Sequence, residues 1–95
     1  MSVSNECKYG DSIYIIESFI EPIIDRNGLL DMDSFIEYKV AEKVIYLDWY
    51  CKTMGDSQYT FIKFQDINGR ISSEVETYFV TEDMWNGIRD YFKHN

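Results

Sequence analysis

The residues able to do chemistry are mostly carboxylates: seventeen Asp and Glu stand against nine Lys and Arg, with one His and two Cys in 95 residues. The histidine, His94, lies one residue from the end of the chain, where fraying is expected, and reads as a helix-end charge rather than a general base. Cys7 and Cys51 belong to no CxxC or zinc spacing and are read as free thiols in a reducing compartment. The close acid pairs Asp31-Met-Asp33 and Glu74-Val-Glu76 are types that general acid–base work needs, but each falls where a helix cap or a solvent-facing strand position is expected. There is no glycine-rich phosphate loop, no HExxH pair, and no hydroxyl or thiol with a base at motif spacing. The chain is therefore read as a non-enzyme, with no catalytic residue, no metal and no cofactor.

One stretch does carry metal-ligand types at a familiar spacing. In the run from Asp25 to Asp31, residues Asp25, Asn27, Gly28, Leu30 and Asp31 fall at positions 3, 5, 6, 8 and 9 of a loop that resembles part of an EF-hand. Position 1 is Ile23 and position 12 is Ser34, so both the first carboxylate and the bidentate Glu are missing. Calcium depends on those two anchors most. The stretch is read instead as a plain helix–loop–helix, closed by Gly28 and restarted by Ser34 and Glu37 as a capping box.

The elements around it follow from periodicity. Ile13, Ile16, Phe19, Ile20, Ile23 and Ile24 recur at helical spacing over Ser12 to Asp25, with a kink or break expected at Pro22. A variant reading makes Ile13 to Ile16 a short strand and starts the helix at Ser18. A second helix is expected from Phe35 to Lys43, with Phe35, Ile36, Val40 and Ala41 toward the core. Val44 to Lys52 alternates, placing Ile45, Leu47, Trp49 and Cys51 on one side and Val44, Tyr46, Asp48, Tyr50 and Lys52 on the other. The polar link Thr53 to Ser57, which carries Gly55 and Asp56, is expected as a short hairpin loop into a second strand, and Asn68-Gly69 signals a two-residue hairpin to a third. That turn sets Lys63 opposite Glu74, Ile62 opposite Val75 and Tyr59 opposite Tyr78, while Trp49 pairs with Ile62 and Leu47 with Phe64. Thr81 caps a terminal helix whose stripe is Met84, Trp85, Ile88, Tyr91 and Phe92. The expected fold is α+β in one domain, residues 1 to 95: an N-terminal helix–loop–helix, a three-stranded antiparallel meander, and a C-terminal helix on the Ile45–Trp49 face. Residues 1 to 10 are expected as a loose tail.

Function is sought on the other sheet face. In that register it gathers Tyr46, Asp48, Tyr50, Tyr59, Phe61, Glu74, Glu76 and Tyr78, the expected partner-binding residues. Aromatic rings bury large area at low entropic cost, and acids select a basic partner. Glu74 and Glu76 on one strand face would stand about 7 Å apart, close to the spacing of successive phosphates. A formal charge of −8 disfavours direct contact with nucleic acid or anionic membrane. No apolar run reaches spanning length and no secretory leader is present, so a cytoplasmic setting is expected. In size, charge and aromatic content the chain is similar to the small acidic inhibitors of phages and mobile elements, anti-CRISPR proteins and DNA mimics among them. That likeness implies an inhibitor that blocks a basic, nucleic-acid-binding site on a target protein such as a nuclease. The alternatives are an immunity protein or antitoxin set against one toxin, and a homo-oligomeric interaction module, with a homodimer through the same face.

Overall fold

The computed structural model describes residues 2–24 and 30–93. In chain order the elements are α1 (Val3–Glu6), β1 (Ser12–Ile15), β2 (Phe19–Ile24), β3 (Leu30–Tyr38), β4 (Lys43–Met54), β5 (Ser57–Gln65), β6 (Ile71–Val75), a 3-10 turn (Glu76–Tyr78), β7 (Phe79–Thr81) and α2 (Glu82–Lys93). Two antiparallel sheets result: five strands in the order β6-β5-β4-β1-β7, and the separate pair β2-β3. The α+β class and the β4-β5-β6 meander match the sequence reading.

The helix–loop–helix is replaced by the β2-β3 hairpin. Four of the six residues of β2 are β-branched or aromatic, types that fit a pleated surface better than a helix. Pro22 neither kinks nor breaks a helix; it lies in β2 opposite Phe35, where the register shifts between Pro22 and Ile23. A bulge is one of the few strand positions that tolerates a missing N–H. The variant strand at Ile13–Ile16 corresponds to β1. The expected second helix is β3 and a turn, in which exposed Ala41 adopts φ +79° while its N–H donates to the Ile15 carbonyl at 2.8 Å. The EF-hand positions Asp25, Asn27 and Gly28 lie outside the described residues; the segments that flank them are strands.

The turn after β5 corrects the meander. Asp66 N–H donates to the Arg70 carbonyl at 2.9 Å and Gly69 N–H to the Asp66 carbonyl at 3.0 Å, so the loop holds three residues, Ile67, Asn68 and Gly69. Only Gly69, at φ +84°, is in the left-handed region that a two-residue type I′ turn would require of Asn68 as well. The register slips by one: Ile62 faces Glu74, Lys63 faces Ser73 and Phe61 faces Val75. A second slip occurs in β4, where Leu47 is an extra residue between Tyr46, opposite Phe64, and Asp48, opposite Lys63. Val44 and Tyr46 therefore join the core, while the Trp49–Ile62 pair stands as expected.

The core lies between the two sheets. Phe19 and Tyr38 from the hairpin meet Phe64 and Phe79 from the large sheet, with Phe64 edge-on to Tyr38 at 5.2 Å and to Phe19 at 6.0 Å. The N-terminal segment, expected to be loose, is tied in: Val3 is buried, Ser4 N–H donates to Glu76 Oε2, and Gly10 N–H donates to the Tyr46 carbonyl. On the far face of the large sheet α2 packs against β1 and β7, not centrally along β4, with Trp85 stacked on Tyr14 at 5.2 Å. Thr81 Oγ1 accepts from Met84 N–H, the expected cap. Among the described residues no helix is long and apolar enough to cross a membrane.

Asp66 is the buried charge at the centre of this arrangement. Its Oδ1 accepts from the N–H groups of Asn68 (2.9 Å) and Arg70 (3.0 Å), and its Oδ2 accepts the Tyr38 hydroxyl at 2.7 Å. Hydrogen bonds to a charged, buried acceptor contribute about 1.5–3 kcal/mol each. Asp66→Ala is expected to lower unfolding free energy in urea by about 3 kcal/mol and Tyr38→Phe by about half that. A loss under about 0.5 kcal/mol for Asp66→Ala, the range of an ordinary surface change, would show that the turn does not hold the two sheets together.

Candidate protein-binding surface

Three features outside the core have shape or charge enough to act. The first is the outer half of the β4-β5 hairpin. From Asp48 to Tyr59 every residue is exposed, so this segment projects beyond the core as a two-stranded arm. The Cα radius of gyration, 14.0 Å, exceeds the roughly 12 Å of a compact chain this long, as a projecting arm requires. The arm closes on Gly55-Asp56, with Gly55 at φ +65°, the first central position of a type II′ turn. On one face lie Asp48, Tyr50, Lys52 and Met54 with Lys63, Phe61 and Tyr59 opposite; the Tyr50 and Phe61 rings stack at 5.4 Å and 8°. On the other, Trp49 extends the core face outward past Ile62 and is 46% exposed.

The eight expected partner-binding residues thus do not form one surface. Asp48, Tyr50, Tyr59 and Phe61 stay together on the arm. Tyr46 is buried in the core, because the Leu47 bulge turns it inward, and burial, with Asp48 adding to it, raises its hydroxyl pKa. Tyr78 packs its ring against Phe19 at 5.5 Å. Glu74 falls opposite the buried Ile62, and Glu76 lies in the 3-10 turn with Oε2 on Ser4 N–H. The phosphate-like spacing expected of Glu74 and Glu76 is lost, since β6 ends at Val75 between them. Trp49 and Met54 belong to the exposed arm and were assigned to the core face and to a loop; only the bulge and the length of the hairpin reveal them.

The second feature is the seam between the sheets, a cleft of about 660 Å³ lined by Glu21, Ile36, Tyr38, Arg70, Ser72 and Ser73 among others. Glu21 reaches from β2 to Glu74 on β6. Burial first, then the hydrogen bond and the charge of Glu74, push the Glu21 carboxyl up to about 7. Tyr38 and Arg70 face the same space, and burial followed by the bond to Asp66 holds the Tyr38 phenol far above its ordinary value. At acid pH Glu21 carries a proton that it donates to Glu74; above neutrality two carboxylates face each other.

The third is an acidic hollow of about 430 Å³, with Glu6, Asp11, Glu82 and Asp83 around Cys7, Ser12, Thr81 and Met84. Burial, then Asp11 and Glu6, push the Cys7 thiol up to about 11, so it stays protonated and unreactive at neutral pH. Among the described residues no three His, Cys, Asp or Glu converge into a metal-holding group. Among the described residues the single ion pair is exposed Lys39–Glu37, so none of these four acids is ion-paired with a described residue.

No protein-family model, no curated protein and no solved structure matches the chain.

The Glu21–Glu74 contact has a consequence with a defined sign. Glu21 has a higher pKa folded than unfolded, so its contribution is full below the ordinary carboxylate range and is lost as pH rises through about 7. The melting temperature is expected to fall between pH 5 and 8 by more in the parent than in Glu21→Gln, which keeps a donor toward Glu74 at every pH. Equal slopes for the two proteins would show that Glu21 ionises as a solvated carboxylate.

Proposed function

We propose that this chain is a small acidic binding protein that acts stoichiometrically, as an inhibitor, on a target protein with a basic surface. The observation that carries the reading is the separation of roles between arm and body. Residues 48–63, the arm together with the β5 residues that pair with its base, contain two acids, Asp48 and Asp56, and two lysines, Lys52 and Lys63, so this stretch is neutral and the whole formal charge of −8 belongs to the rest of the chain. A neutral, aromatic projection on an acidic body suits an association steered by charge and held by rings. Long-range attraction sets the encounter rate, and desolvated aromatics set the lifetime of the complex.

In this reading Tyr50, Tyr59, Phe61 and Met54 are the anchors on one face of the arm, with Asp48 at its base, and Trp49 is an anchor on the other face. The hollow with Glu6, Asp11, Glu82 and Asp83 receives basic side chains of the target. A basic groove that binds nucleic acid is the kind of surface such an acid distribution would seek and occlude. The part played by Glu74 and Glu76 differs from a phosphate mimic, because one is held in the sheet seam and the other binds the Ser4 amide.

The test is capture of a target by the tagged chain, identified by mass spectrometry, followed by kinetics with two variants. Tyr50→Ala with Tyr59→Ala is expected to speed dissociation by about thirtyfold or more, the scale of losing about 2 kcal/mol of anchor energy. Glu6→Lys with Glu82→Lys is expected to slow association and flatten its salt dependence, leaving dissociation nearly unchanged. Capture of a basic protein by the parent that both variants bind at parental rates would sink the assignment of the surface. Loss of nuclease or nucleic-acid-binding activity in the captured protein on titration to one equivalent is the expected sign of inhibition.

A further inference from the structure

The edge of the arm, as distinct from its aromatic face, is also unfinished. On its outer side β4 is paired with β1 only over Lys43–Ile45, and the last bonds there join Tyr46 to Gly10 and Asp11. From Leu47 to Met54 no described strand lies against that side. Because the arm closes with a two-residue loop on the Met54–Ser57 pair, the pairs bonded to β5 are Met54–Ser57, Lys52–Tyr59 and Tyr50–Phe61. The N–H and C=O groups of Thr53 and Cys51 and the C=O of Trp49 therefore point outward, while the Trp49 N–H on the same side donates to its own Asp48 Oδ1 at 2.8 Å. An open row of this kind is a template for another strand.

We infer that this edge pairs with the same edge of a second copy, β4 against β4 antiparallel about a two-fold axis at Tyr50. The hydrogen-bonding parity allows only registers in which outward residues oppose outward residues: centred on Trp49, Tyr50, Cys51, Lys52 or Thr53. The charges choose among them. With Tyr50 at the centre, Asp48 of each chain falls opposite Lys52 of the other, an opposite-charge cross-strand pair made twice by symmetry. Centred on Trp49, Asp48 meets Tyr50 and Lys52 meets Tyr46; centred on Cys51, Asp48 meets Met54 and Lys52 meets Tyr50. Centred on Lys52, the two lysines face each other, and centred on Thr53, Lys52 meets Met54; none of the four pairs opposite charges. In the chosen register Tyr50 faces its own symmetry mate at a close, non-hydrogen-bonded position, and the Trp49 N–H passes from its own Asp48 Oδ1 to the other copy's Cys51 carbonyl, which frees Asp48 for Lys52. The contact itself brings no net charge together, so the repulsion that remains is that between the two acidic bodies, which salt screens over about 8 Å at physiological ionic strength. The result is a four-stranded ribbon with a target-binding face on each half, and it stands independently of whether that face binds a target.

Sedimentation equilibrium of the full chain, parent and two charge variants, tests this. The parent is expected to dimerise reversibly. Lys52→Glu, which sets Glu against Asp48, and Asp48→Lys, which sets Lys against Lys52, are each expected to weaken self-association about tenfold. Mixed in equal amounts, the two variants restore both opposite-charge pairs and are expected to form a heterodimer at close to parental affinity. A parent that remains monomeric to its solubility limit overturns the inference, even if an extended peptide then adds to the edge. So does a dimer indifferent to either variant, or a mixture that associates no better than its components. Tyr59→Ala, on the other strand of the arm, is expected to leave the dimer intact while weakening target binding, which separates failure of this inference from failure of the functional reading.

Discussion

The bond from Tyr38 to Asp66 is the joint on which the molecule turns. One carboxylate oxygen of Asp66 organises the loop that follows β5, and the other accepts the hydroxyl of the tyrosine that ends β3. The register of the large sheet and the docking of the small one are thus set at a single residue. A buried carboxylate is costly unless each of its lone pairs finds a donor, and here three donors converge on it. That requirement explains why the loop takes three residues: a two-residue loop would remove one of the amides that Asp66 needs.

From this joint the rest of the seam follows. The three-residue loop moves every residue of β6 by one position against β5, which sets Ser72 opposite the buried Phe64 and Glu74 opposite the buried Ile62. Glu74 then meets Glu21, and two acids that are far apart in sequence share a half-buried site. The acids of the body do two different things as a result. Glu21 and Glu74 act inward on stability, whereas Glu6, Asp11, Glu82 and Asp83 act outward on whatever approaches.

Much of the architecture was legible in the chain. The β4-β5-β6 meander, the Trp49–Ile62 pair and the Thr81 cap rest on local signals that tertiary packing did not override, and the loop expected over Thr53 to Ser57 tightens to Gly55-Asp56. The helix–loop–helix failed for a specific reason. Isoleucines at 13, 16, 20, 23 and 24 satisfy helical spacing, but a run so rich in β-branched residues satisfies a strand as well, and Pro22, counted only as a helix breaker, is also compatible with a strand bulge. The candidate surface failed for a similar reason. Strict alternation along β4 puts Tyr46 and Tyr50 on one face, and a single extra residue at Leu47 separates them, one into the core and one onto the arm.

By itself the sequence determined composition-level and nearest-neighbour properties: an acidic, aromatic α+β chain, a neutral stretch between two charged ones, turns at Gly55 and near Gly69, and a capped terminal helix. These depend on side-chain type and on backbone preferences a few residues long. Only the tertiary structure decided what those strands face, because in a sheet one inserted residue reverses the side on which every later side chain falls, and two such insertions occur, at Leu47 and in the loop that ends in Gly69. No local preference records them. They are set by the Asp66 carboxylate and the aromatic core, whose members come together from positions 19, 38, 64 and 79 only when the chain is folded.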